Sequence, residues 1–202
     1  AVAGAAALLP GVGRDRAERG EDPEDELIRS VEAVCKHYRL APEATDGFLM
    51  IDSGRNLPIN IATQDRTGAR IAWPEVDALV EALVRDKVDV LTVDPFVSCH
   101  SVQENDNAAV EKVAQAWNLV ADRANVAIHI AHHAVKARDR DVGAMDYRGG
   151  GAALAKLRYL RTLNRMGAKE AANLGMSPLE GRLHIRIDDG EKSNLIAPSA
   201  EQ

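Results

Sequence analysis

The run Val88–Asp94, VDVLTVD, constrains the fold more than any other stretch of this chain. Its β-branched and aliphatic residues fall on both faces of an extended backbone, a carboxylate sits at its C-terminal tip, and proline follows at once. A strand apolar on both faces belongs in a parallel sheet covered by helices on each side. The flanking residues keep that rhythm. EDPEDELIRSVEAVCKHYRL repeats Leu27, Ile28, Val31, Val34 and Cys35 at helical spacing with acids in the first turn, and predicts a helix over about Pro23–Tyr38. DGFLMIDSG reads as a short strand closed by a turn, and LPINIAT as a second strand candidate. PEVDALVEALVRDK opens with proline at a first helical position and aligns Val76, Leu79, Val80 and Leu83 on one face.

The alternation continues. DNAAVEKVAQAWNLVADRAN predicts a helix with Val110, Val113, Ala114, Trp117 and Val120 inward, and VAIHIAHH a strand of the doubly buried kind. KARDRDVGAMDYRGGG is a charged, glycine-rich loop. AALAKLRYLRTLNRM fits helix or strand, and the favoured reading is a helical turn followed by a strand from about Leu157. AKEAANLG predicts a short helix, and GRLHIRIDD alternates like an edge strand or hairpin arm. Strands alternating with helices predict an α/β domain with a mainly parallel sheet.

At 202 residues the chain suits one domain with a single core. Aromatics make up only 3%, so Ala, Val and Leu must fill most of that core. The net charge of -6 argues against a surface that binds nucleic acid everywhere and leaves room for a local basic patch. Cys35 and Cys99 have neither metal-ligand nor disulfide spacing, which fits a reducing, cytoplasmic setting. No apolar run is long enough to span a bilayer, and the Ala-rich opening lacks the basic residues of a signal peptide.

In open parallel sheets ligands bind beyond the carboxyl ends of the strands. Asp94 stands at such an end, where an aspartate suits the orientation of a magnesium ion through its water shell beside a nucleotide phosphate. An aspartate there equally suits an N-cap or a loop ion pair, and the short motif alone leaves both readings open. HIAHH invites a metal-dependent hydrolase built on His129, His132, His133 and a carboxylate. On an extended strand, however, His129 and His133 share a face while His132 points away, and no carboxylate has convincing spacing.

Five segments in order, EDPEDEL, VDVLTVDPF, ENDN, IAHHAVK and YRGGGAAL followed by LRYLRTLNRM, carry a resemblance. From roughly Gly20 to Pro198 the chain resembles the RecA-like ATPases of the plasmid replicative helicase RepA type, within the broad AAA grouping. The resemblance implies a RecA-like three-layer α/β fold around a mainly parallel central sheet. It implies ATP and magnesium as cofactors, and a homo-oligomeric ring, a hexamer, acting on single-stranded DNA without contact with a membrane. It also implies roles for particular residues. Glu21 in GEDP polarises the attacking water, and Asp94 is linked to magnesium. His133, with His132 beside it, senses the γ-phosphate. Arg158 in LRYL is the arginine finger that reaches the next subunit, since a guanidinium fork neutralises charge on a transferring phosphoryl group. Lys192 in EKSN is a second basic residue near the γ-phosphate. Lys136, Arg138 and Arg140 meet DNA phosphates from a central loop, although Asp139 and Asp141 interrupt that run, and Arg148 is structural or faces DNA. Each residue also has a simpler reading. Glu21 suits the helix dipole, a strand-end histidine suits a hydrogen-bonded core position, and the basic residues suit a solvated surface.

The chain departs from the family at its first motif. The phosphate-binding loop GxxxxGK[ST], whose amides and lysine cradle phosphates, does not occur in the 202 residues. GRDRAERG stands where an apolar strand should lead into Glu21 and reads as a charged coil. The expected organisation is therefore a leader over residues 1–20, disordered or partly helical, and the C-terminal portion of a RecA-like ATPase domain over 21–202, lacking the first strand and the phosphate loop. The abrupt change at Gly20 favours a start lost by truncation or a reading-frame slip. The alternative is a degenerate, non-catalytic subunit or interaction module of an ATPase ring. Either way the expectation is impaired or absent activity alone, no micromolar affinity for ATP, and marginal stability from uncovered apolar surface.

Overall fold

The computed structural model describes residues 14–19, 22–56, 58–134, 140–143, 146 and 156–193. The chain divides into two units, Ala1–His132 and His133–Gln202.

A four-stranded parallel sheet carries the first unit. Its strands are β1 (Arg14–Arg19), β2 (Leu49–Ser53), β5 (Val88–Asp94) and β6 (Ala127–Ile130), in the order β2-β1-β5-β6. Strand β1 is a correction. Arg14–Arg19 was expected as coil in a leader without a core strand, yet its backbone pairs with β2 on one side and β5 on the other. Ladder hydrogen bonds join main-chain groups whatever side chains they carry, so two parallel neighbours draw in a segment with no strand signal of its own.

Strand β5 is interior, as its sequence demands, with Leu91 and Val93 fully buried. Strand β6 differs from expectation. It is short, lies at the sheet's edge among the described strands, and leaves Ala127 and His129 exposed rather than buried on both faces.

Three helices accompany the sheet. Helix α1 (Glu24–Tyr38) matches its predicted span, with Glu24, Asp25 and Glu26 in the first turn where they favour the helix dipole. Helix α2 (Trp73–Arg85) buries Val76, Leu79, Val80 and Leu83, the face read from the sequence. Helix α3 (Asn107–Ala124) buries Val110, Val113, Ala114, Trp117 and Val120, again as read. With Ile61, Leu83 and Leu91 these side chains form a mainly aliphatic core around Trp117, in keeping with the scarcity of aromatics.

Between β2 and α2 lies a small antiparallel hairpin, β3 (Ala62–Asp65) and β4 (Gly68–Ile71), with Asp65 opposite Gly68. Residues 58–61 of LPINIAT are not strand; only its last two residues enter β3. Gly68 sits at φ +115, a conformation that side chains resist, which closes the tight turn.

The second unit contains an antiparallel pair, β7 (Tyr159–Arg165) and β8 (Ile185–Ser193), joined through two short helices, α4 (Ala168–Asn173) and α5 (Pro178–Gly181). The strand reading of LRYLRTLNRM matches β7, which starts two residues later than expected, and of GRLHIRIDD only residues 185–189 enter β8, because its first residue closes α5 and the next three form a turn. The described chain is thus mixed α/β, with one small parallel sheet and two antiparallel pairs.

Candidate functional site at the carboxyl rim of the parallel sheet

The strand register sets a common rim. Arg19 lies opposite both Ser53 and Asp94, so β1, β2 and β5 end at one level. Val93 lies opposite Ile130, which brings the end of β6 to the same rim. Side chains and loops lock it there. The Ser53 hydroxyl, almost fully buried, donates to the Asp22 carbonyl at 2.7 Å and ties the segment after β1 to the tip of β2. The Ala131 amide donates to the Val93 carbonyl at 2.8 Å, and the Phe96 amide to the Ala131 carbonyl at 2.7 Å. Half-buried Asp94 therefore sits between two points of attachment to the strand that leads into His132.

Phe96 is the aromatic centre of this rim. Its ring meets His100 edge-on at 4.7 Å and lies tilted against His132 at 5.1 Å. His100 is 8% exposed, and its Nδ1 accepts from the Val102 amide at 3.3 Å. That bond places the ring proton on Nε2, which is buried and has no hydrogen-bond partner among the described residues. Burial pushes the His100 pKa below its ordinary value, the Glu104 carboxylate opposes the shift, and His132 adds to it. Burial thus biases His100 toward its neutral form against the Phe96 ring.

The segment after Asp94 is anchored along its length to β3. Ile61 donates to the Cys99 carbonyl at 3.0 Å, and Ser101 to the Ala62 carbonyl at 2.8 Å. The Gln64 amide group spans two elements, since its Oε1 accepts from the Gln103 amide and its Nε2 donates to Asp106, both at 2.8 Å. Asp106 in turn caps α3, accepting from Ala108 at 3.0 Å and Ala109 at 3.1 Å. The ENDN motif is legible as the opening of α3, but nothing in the sequence points to Gln64 as its brace. Nor does the lone His100 announce its burial.

The residues singled out from the sequence are distributed as follows. Asp94 and His132 share the rim of the first unit. His133 is exposed and begins the second unit, so the histidine packed on Phe96 is His132, the neighbour of the better family match. Glu21, Lys136, Arg138 and Arg148 lie outside the described residues. Arg158 is exposed in the bend before β7. Lys192 lies in β8, its backbone opposite Leu160. Arg140 is engaged within its own loop, where its guanidinium donates to Asp146 at 2.6 Å and to the Asp141 carbonyl at 3.1 Å. That guanidinium and the Gly143 amide hold the Asp146 carboxyl down to about 2.

Among the described residues no three His, Cys, Asp or Glu side chains come together to hold an ion. The donor set of the described residues makes no protein cage for a metal.

A family model described as an AAA domain matches residues 19–139, well over half of the 202-residue chain. The chain belongs to the AAA-domain family. The matched span opens on the last residue of β1 and closes beyond the two histidines, so the AAA domain contains the whole rim described above. Arg158, Lys192 and the β7–β8 hairpin lie outside it. An AAA domain is an ATPase-type motor module, and the rim coincides with the place where an open parallel sheet binds ligands. No curated protein sequence matches the chain. Among the described residues no helix is long and apolar enough to cross a membrane.

Proposed function

We propose that the chain is the RecA-like motor core of a replicative DNA helicase of the plasmid RepA type, working as a subunit of a homo-oligomeric ring on single-stranded DNA. The observation that carries this reading is the placement of Asp94. It stands at the tip of the interior parallel strand, on one rim with His132, inside the span matched by the AAA family. The RecA-like three-layer fold and the helicase role rest on the five ordered segments that resemble the RepA type.

In this reading Asp94 holds the water shell of a magnesium ion, and Glu21, two residues beyond β1, orients the attacking water. His132 and His133 respond to the γ-phosphate and pass its state to the segment that follows. Arg158 and Lys192 serve a phosphate site, Arg158 that of the adjacent subunit. Lys136, Arg138, Arg140 and Arg148 face DNA phosphates, with Arg140 first released from Asp146. Magnesium-bound ATP, when present, supplies the phosphoryl group whose transfer to water drives such a motor.

The residues present fit the metal-linked half of that site and not its phosphate cradle. The 202 residues carry no GxxxxGK[ST] sequence, so no hydrolytic step is assigned to this chain alone. Its expected behaviour by itself is weak, magnesium-dependent nucleotide binding.

Titration of a fluorescent ATP analogue into the full chain, with and without magnesium, tests the reading. Millimolar-range binding that needs magnesium and disappears in Asp94→Asn, with unchanged circular dichroism, is the expected result. Binding indifferent to both magnesium and Asp94→Asn overturns it.

A further inference from the structure

The chain has only two phenylalanines, and Phe48 is 52% exposed. The buried one, Phe96, stands at the carboxyl rim of the parallel sheet and touches two histidine rings, His100 edge-on at 4.7 Å and His132 at 5.1 Å. An aliphatic side chain in place of His100 would fill that space without burying a polar atom. His100 instead buries an Nε2 that has no hydrogen-bond partner among the described residues, a cost that packing alone does not explain.

The backbone around His100 is fixed on both sides. The Cys99 carbonyl accepts from Ile61, Ser101 donates to the Ala62 carbonyl, and the Val102 amide donates to His100 Nδ1. His100 is therefore anchored beside β3, which pairs with β4 and takes no part in the parallel sheet. Phe96 is tied to the parallel sheet itself, through its amide bond to Ala131, the residue before His132. The three rings thus reach from the β3 side of the rim to the end of β6, with Phe96 as the shared neighbour. Close-packed rings hold one another's orientation, and removing one leaves space into which its neighbour turns.

We propose that His100 is a positioning residue of the rim: its anchored ring holds Phe96, and through Phe96 it keeps the His132 imidazole in the one orientation offered to a nucleotide phosphate. The inference rests on the proposed reading of the rim as a magnesium-nucleotide site, and it assigns His100 no contact with the nucleotide itself.

Two variants of the full chain separate the ring from its hydrogen bond. His100→Asn keeps an acceptor for the Val102 amide and removes the ring, while His100→Phe keeps a ring and removes the acceptor. Titration of the fluorescent ATP analogue with magnesium is read beside the side-chain nitrogen NMR signals of His132, assigned by their loss in His132→Gln. The spectra are taken at about pH 8, where they report tautomer and setting rather than charge. His100→Asn is expected to keep the wild-type circular dichroism, to bind the analogue about five-fold more weakly and to change the His132 signals. His100→Phe is expected to stay within about two-fold of the wild type and to leave those signals in place. Unchanged affinity or unchanged His132 signals in His100→Asn overturns the proposal, and so does a folded His100→Phe that loses as much affinity as His100→Asn. If His100→Asn unfolds, Phe96→Leu takes its place with the same loss expected, and full affinity in that variant overturns the proposal. A wild type that does not bind the analogue with magnesium overturns the nucleotide reading, and the His132 signals then decide alone whether His100 orients that ring.

Discussion

The Phe96 amide donates to the Ala131 carbonyl at 2.7 Å, one step past the end of the β5–β6 ladder. That bond joins the segment leaving Asp94 to the segment entering His132, and the Phe96 ring then packs on both His132 and His100. A single residue thus fixes the spacing of the rim through its main chain and its contents through its side chain. Phe96 is 3% exposed, so Phe96→Ala is expected to cost about 3 kcal/mol in urea unfolding. The His100 pKa, followed by NMR, should rise in the variant as water reaches the ring. An unchanged His100 titration in a destabilised variant counts against Phe96 as the source of its burial.

Acid should weaken the fold through His100. Its folded-state pKa lies below the ordinary 6.5, chiefly because it is buried, with Glu104 opposing and His132 reinforcing the shift. The unfolded chain therefore takes up a proton that the folded chain refuses. The contribution of the neutral ring is fully present above about 6.5 and is lost as pH falls through the lower folded value. Denaturant midpoints measured between about pH 7.5 and about pH 5 should decline in the wild type and decline less in His100→Asn. Equal slopes in the two proteins discard this account.

Gln64 and Asp106 act as a pair. Asp106→Ala removes the cap of α3 and is expected to cost about 1–2 kcal/mol, and Gln64→Ala about 1 kcal/mol. Because the two side chains bond to each other, the double variant should fall short of the sum by about 0.5–1 kcal/mol. Strict additivity in a double-mutant cycle means that Gln64 serves Gln103 alone.

Asn164 holds Val142 as a neighbouring strand would. Its Oδ1 accepts from the Val142 amide at 2.8 Å, and its Nδ2 donates to the Val142 carbonyl at 2.9 Å and to Asp188. Asn164→Asp replaces that donor with a carboxylate facing both a carbonyl and Asp188, and is expected to cost about 2–3 kcal/mol. Limited proteolysis should then cleave near residues 140–143 before cutting elsewhere. Wild-type resistance there shows that the segment is held by other contacts.

Arg186 gathers three carboxylates of the second unit, donating to Asp141 at 2.6 Å, to Asp188 at 2.9 Å, and to Glu170. Asp188 and Glu170 are both held below the ordinary carboxylate range. For Asp188 the largest cause is the bond from Arg186; for Glu170 it is the Gly167 amide, with Arg186 second. Depressed carboxylates stabilise above their unfolded pKa and cease to do so as pH falls through the folded one. Arg186→Met should therefore lower the melting midpoint at neutral pH and flatten its decline in acid, as thermal scans at a series of pH values can show. A variant that melts like the wild type at neutral pH removes the network from any account of stability.

The sequence by itself determined the helices and the interior strand. The faces of α2 and α3 repeat every three or four residues, and VDVLTVD is apolar on both sides, so each states its burial locally. It also displayed Asp94 at a strand end and the histidines beyond the next strand. Only the tertiary structure decided the rest. Arg14–Arg19 becomes a strand because β2 and β5 offer main-chain partners on both sides, a property of the neighbours rather than of RDRAER. The β7–β8 pair alternates visibly in sequence, yet its covered face is the polar one, because Asn164 and Arg186 find partners far along the chain. His100 is buried, and His132 rather than His133 is packed on Phe96, because a backbone bond between Phe96 and Ala131 brings those rings together. Periodicity is carried by neighbours in sequence, while ladder pairing and burial depend on which distant segments meet.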